Sequence, residues 1–152
     1  MLAGIILSLH LQMAALAQVQ GEGAEGGGVA IRALDGGSTI VVNCIADLTT
    51  VSLEVSTPLL PNYRGPFRYA ALVADFDDRG PRRLRWSLSG TGTWLSSPYL
   101  ETFEFIRGLV LSERLTLRME SADTTPLRAS FDLTGFRTAV RPVAEACSWT
   151  WY

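Results

Sequence analysis

Two cysteines, a run of four arginines and a cluster of three aspartates are the residues here whose types and spacing could do chemistry. A thiol at Cys44 or Cys147 could serve as a nucleophile, a metal ligand or half of a disulfide. Nucleophilic use needs a base, and the single histidine, His10, sits in an apolar N-terminal segment. With that segment removed, serine–histidine and cysteine–histidine mechanisms and the commonest zinc ligand sets are excluded. The aspartates Asp75, Asp77 and Asp78 in DFDDRGP gather oxygen atoms but lack the register and terminal Glu of a calcium-binding loop, so they read as solvated turn acids. A carboxylate pair for glycan hydrolysis can be assembled from distant strands, yet nothing local singles one out. No catalytic residue, metal ligand or cofactor site is assigned.

The arginines are the densest charge feature. RGPRRLR places Arg79, Arg82, Arg83 and Arg85 within seven residues. Guanidinium groups bind carboxylate and phosphate in a two-pronged geometry, so these four are the candidate partner-binding residues, suited to an anionic glycan, a lipid headgroup or an acidic protein face. The competing reading is a charged edge strand that blocks unwanted pairing, with Asp75, Asp77 and Asp78 as its partners. All 13 basic residues are Arg, against 15 acidic ones, and the net charge of −2 supplies no global field to attract nucleic acid.

The residues must be positioned by something, and the N-terminus says where. MLAGIILSLHLQMAALAQVQ carries no charged side chain before Glu22, and its apolar centre matches the h-region of a signal peptide. Ala15-Leu16-Ala17 supplies small residues for a peptidase, so residues 1–17 are expected to be removed and the protein to be periplasmic or secreted; the alternatives are an uncleaved anchor and a buried helix. GEGAEGGG follows, and residues 18–28 read as a Gly-rich flexible tether. Residues 29–152 are expected to form one β-rich domain. In an oxidising compartment an even pair of cysteines forms a disulfide, Cys44 to Cys147; free buried thiols are the alternative.

From Val29 onward, runs with period-two alternation separated by turn residues predict successive antiparallel strands. VAIRAL and TIVVNCIA flank Asp35-Gly36-Gly37-Ser38 as a hairpin, with Ile40, Val42 and Cys44 on one face. TTVSLEVS presents Val51, Leu53 and Val55 inward. TPLLPNYRGP, with three prolines, reads as a loop or edge excursion. FRYAALVADFD and RRLRWSLS form a hairpin, and TWLSS one more short strand. YLETFEFIRGL reads as a helix with Leu100, Phe103 and Arg107 near one stripe and Gly108 as its stop. The segment from Glu113 to Ser121 buries Leu115, Leu117 and Met119, and LRASFDL turns Leu127, Ala129, Phe131 and Leu133 inward. Thr134 then caps an amphipathic helix carrying Phe136, Ala139, Val140, Val143, Ala144 and Cys147, with Pro142 kinking it or opening its second turn.

The fold class is therefore mainly β, or α+β: one antiparallel sheet, curled or sandwiched, with one or two short helices and the C-terminal helix packed on it. The order VVNC, VADFD, RWSLS, LTLRME, FDLTGF and Cys147-Ser148-Trp149 resembles the type VI secretion-associated VasI/TagO-like family from about Thr39 to Trp149. The GEGAEGGG tether, the Pro-rich loop and the CSWTWY ending depart from that pattern. The resemblance implies a disulfide-linked β-rich module and lends no catalytic residues. Trp149-Thr150-Trp151-Tyr152 reads either as a partner-binding tail or, for Trp149, as a cover over the disulfide.

The expected function is an exported, non-enzymatic accessory or binding module that engages a cell-envelope protein or an anionic glycan. The alternative is a carboxylate-dependent cell-wall hydrolase, or an inhibitor of one.

Overall fold

The computed structural model describes residues 27–152. The segment expected to be a signal peptide, residues 1–17, and nearly all of the expected tether lie outside the described residues.

Alternating side chains become nine strands of one sheet: β1 (Gly28–Arg32), β2 (Ser38–Ile45), β3 (Leu48–Val55), β4 (Asn62–Arg64), β5 (Phe67–Phe76), β6 (Arg82–Leu88), β7 (Trp94–Ser96), β8 (Arg114–Glu120) and β9 (Pro126–Asp132). Three helices complete the domain: α1 (Tyr99–Leu111), α2 (Phe136–Ala139) and α3 (Arg141–Ala146). The spatial order is β1-β2-β3-β7-β6-β5-β8-β9, with β4 pairing β5 off this path, and the pairings are antiparallel. Just past β1, the Leu34 N–H donates to the Ser130 carbonyl of β9 at 2.8 Å, so the two ends of the sheet curl back to meet. The result is a nearly closed barrel.

Turn chemistry fixes the registers. Asp35 Oδ1 accepts from the Gly37 N–H at 3.0 Å in the first hairpin. Ala46 and Asp47 join β2 to β3 with φ of 48° and 63°, the all-positive backbone that matches the right-handed twist of a two-residue hairpin. The apolar faces point inward, so that Ile40, Val42, Leu53, Leu72, Trp86, Leu95, Leu115, Leu117 and Phe131 are fully buried.

The sheet begins at Gly28, which is in register with Asn43, and the Gly27 carbonyl accepts from the Cys44 N–H at 3.1 Å. Gly28 thus belongs to the sheet and not to the tether. The Pro-rich excursion also pairs in part: β4 runs beside β5, and Leu59 bridges Ser121. Pro58, Pro61 and Pro66 flank these pairings and interrupt none of them.

Helix α1 is rotated from the expected stripe. It buries Thr102, Phe105, Ile106 and Leu109, while Leu100 is 88% exposed. Phe105, Ile106 and Leu109 make the continuous apolar stripe, and Phe105 meets Trp86 edge-on at 4.8 Å and Phe76 at 5.6 Å. Gly108 does not stop the helix, which runs on to Leu111. A Cβ at Gly108 would lie 2.6 Å from the Phe76 ring, so glycine is what lets the helix approach the sheet. Gly108→Ala should therefore destabilise the protein by about 1 to 3 kcal/mol through overpacking, against the gain of about 1 kcal/mol that helix propensity alone would give. The sign of the shift in the urea midpoint decides between them.

At the C-terminus the expected single helix is two. The Thr134 N–H donates to Asp132 Oδ1 at 2.9 Å, and Gly135, with φ of 80°, occupies the N-cap position expected of Thr134. A left-handed backbone is cheap for glycine and strained for threonine. Pro142 falls in the first turn of α3, where its missing N–H breaks no helical hydrogen bond. Phe136, Val140, Val143 and Ala144 are buried, docking both helices on the sheet.

Candidate functional site

Cys44 lies on the buried face of β2 and Cys147 ends α3. They are joined as a disulfide with Cα atoms 5.7 Å apart across 103 residues. Thr49 is the cross-strand partner of Cys44, and its Oγ1 accepts from Trp149 Nε1 at 2.8 Å. The Trp149 indole stacks on Trp151 at 5.1 Å and meets Phe103 of α1 edge-on at 6.4 Å. The Tyr152 hydroxyl donates to the Arg137 carbonyl. The terminal WTWY is thus folded back over the disulfide region and α1, and is not a free tail.

The arginine cluster, contiguous in sequence, is divided between two sides of the sheet. Arg79 is tied inward: Nη2 donates to Ser112 Oγ at 2.7 Å, Nε to the Phe76 carbonyl at 3.3 Å, and Asp77 lies 3.7 Å away. Asp77 Oδ1 in turn accepts from the Glu113 and Arg114 N–H groups at 3.0 and 2.9 Å. These bonds fasten the turn between β5 and β6 to the start of β8, a structural role. Arg82 pairs with Glu104 of α1. Arg79, Arg82, Glu104, Arg107 and Leu111 line an open groove of about 580 Å³ between that turn and α1.

Arg83 and Arg85 point the other way, because alternation places them opposite Trp86 and Leu88. The Arg85 guanidinium sits over the Tyr69 ring at 5.8 Å. Strand β6 pairs β5 from Arg82 to Ser87 but β7 only at Ser87 and Leu88, so its arginine-bearing half has a strand neighbour on one side alone, as the edge reading expects. Register also sets Arg83 opposite Val73, Val73 opposite Arg118, and Arg118 opposite Arg128. Three exposed arginines from β6, β8 and β9 therefore stand in one row with Arg85 beside them. Arg118 and Arg128 lay outside the sequence cluster. Alternation turned both outward, but only strand order makes them neighbours of Arg83. Among the described residues, the ion pairs within 4.0 Å involve Arg79 and Arg82 and none of these four.

Three further carboxylates are held by local hydrogen bonds. The Ser121 hydroxyl, then Thr125, holds Asp123 below the usual carboxylate range, and the Thr134 N–H does the same for Asp132. Asp75 Oδ1 accepts from the Gly80 N–H at 3.3 Å. Among the described residues, no three His, Cys, Asp or Glu side chains are grouped to hold a metal ion, and no helix is long and apolar enough to cross a membrane.

No family model matches the chain, and no curated protein matches it. Among solved structures, invasion associated protein B from Bartonella henselae superposes with a TM-score of 0.54 at 16% identity, covering 79% of this chain and 85% of that one. The two chains share a fold.

Proposed function

We propose that this protein is an exported, non-enzymatic module that binds an anionic partner of the cell envelope. The observation that carries the reading is the row Arg83, Arg118 and Arg128, whose guanidinium groups meet no carboxylate among the described residues and stand exposed on the outer face of the sheet. Like charges set directly opposite one another, as in Arg118 and Arg128, cost stability in the free protein, and an anionic ligand relieves that repulsion. The Cys44–Cys147 disulfide supports export, because such bonds persist in oxidising compartments. The resemblance of FDLTGF and its downstream Cys147 and Trp149 to the VasI/TagO-like pattern supports an accessory role beside a secretion machinery.

Expressed from Met1 in a Gram-negative host, the protein should be recovered from the periplasm, shortened at its N-terminus, with both thiols unreactive until reduced. It should co-sediment with isolated envelopes, elute with salt and release no muropeptides from peptidoglycan. The double reversal Arg83→Glu and Arg118→Glu should abolish the sedimentation. Muropeptide release that disappears on substituting one carboxylate would establish the hydrolase instead.

A further inference from the structure

We infer that the outer face of β5 and its flanking arginines form a binding site for an acidic polysaccharide. This rests on the anion-binding reading above and adds the class of ligand and its seat.

Period-two alternation puts Phe67, Tyr69, Ala71 and Val73 in one outward stripe along β5. Phe67 is 71% exposed, and Tyr69, half-buried, carries Arg85 over its ring. Ala71 and Val73 are small, and they floor a shallow cleft of about 250 Å³ walled by Asn62, Arg118 and Glu120. The cleft has a structural cause. On the side of β5 away from β6, β8 pairs with Val73 to Phe76 and β4 with Phe67 to Tyr69. Between them the segment from Leu59 to Asn62 crosses from one strand to the other, since the Leu60 N–H donates to the Glu120 carbonyl at 2.9 Å. The middle of β5 is left without a neighbour on that side, and the gap is the cleft.

The chemistry fits a sugar chain bearing carboxylates. The exposed Phe67 ring stacks on the C–H face of a pyranose ring. Asn62 and Glu120 accept from sugar hydroxyls. The arginines bind the acidic groups: strands are about 4.8 Å apart, so Arg118 and Arg128 are one spacing apart and Arg83 and Arg118 two, which suits charges on successive or alternate rings. Glu120 lines the cleft and Asp75 ends the stripe, so carboxylates stand beside the arginines. With a net charge of −2, the protein has no overall field to draw a nucleic acid. A membrane surface is disfavoured by the concave, Ala- and Val-floored centre between Phe67 and the arginines, which a flat surface does not fill.

Calorimetric titration of the oxidised protein at low salt tests the site with polygalacturonate, neutral pullulan, phosphatidylglycerol vesicles and single-stranded DNA as probes. Polygalacturonate should bind and pullulan should not. Arg118→Gln and Arg128→Gln, each shown by near-ultraviolet circular dichroism to keep the fold, should weaken binding by about tenfold, as loss of one charge-assisted contact predicts, and should reduce the salt dependence. Phe67→Ser should weaken it without changing the salt dependence. Vesicles or DNA binding as tightly as polygalacturonate would overturn the polysaccharide while leaving the anion-binding reading intact. Failure of every anionic probe would overturn both.

Discussion

Replacing Cys147 by Ser, or reducing its bond to Cys44, is expected to lower the unfolding free energy by about 2 to 5 kcal/mol. The bond closes a loop of 103 residues, near the length at which the chain-entropy model gives about 4.7 kcal/mol. Burial of Phe136, Val140 and Val143 also holds the terminal helices, so the reduced protein should fold but with its last segment weakened. Trp149 and Trp151 pack against Phe103 and each other. Their fluorescence should shift to the red at lower urea than the loss of strand circular dichroism in the reduced protein, and together with it in the oxidised one. A midpoint unchanged by reductant would show that the bond only decorates a fold already held by packing.

Trp86→Ala should cost about 3 to 5 kcal/mol, the range for removing a fully buried large aromatic side chain. Trp86 is completely buried and meets Phe105 at 4.8 Å, so it joins the sheet to α1. Its indole N–H has no hydrogen-bond partner among the described residues, and an unpaired buried donor costs about 1 to 3 kcal/mol. Trp86→Phe removes that donor while keeping most of the aromatic volume, so it should cost less than half as much as the alanine change. Chemical denaturation of both variants checks the ordering. A phenylalanine variant as unstable as the alanine one would mean that indole volume, and not the unpaired N–H, dominates at this position.

Much of the sheet was legible in sequence because alternation is a local signal. Ile40, Val42 and Cys44, then Val51, Leu53 and Val55, and again Leu115, Leu117 and Met119 declared their inner faces. The pairing of Cys44 with Cys147 followed from compartment and count. Neighbourhood was not legible. Nothing local reveals that β7 inserts between β3 and β6, and so nothing local brings Arg83 into line with Arg118 and Arg128. The helix α1 could be seen but its face could not, because FEFI offers two apolar stripes and the choice rests on Phe76 and Trp86 from distant strands. Gly108 looked like a stop for the same reason. Its lack of a side chain serves a tertiary approach that the helix sequence does not show.

The disulfide also has a mechanical meaning. Residues 44–147 form a covalently closed ring, and β1 with most of β2 lies outside it on the N-terminal side. A pull applied through the N-terminus against the C-terminus can peel β1 and the preceding part of β2, but on reaching Cys44 it passes straight across to Cys147 and out through the final residues. The ring itself, which carries Arg83, Arg118 and Arg128, bears no load. A domain wired in this way can be strained through its N-terminal strand while the surface that carries the arginine row keeps its shape.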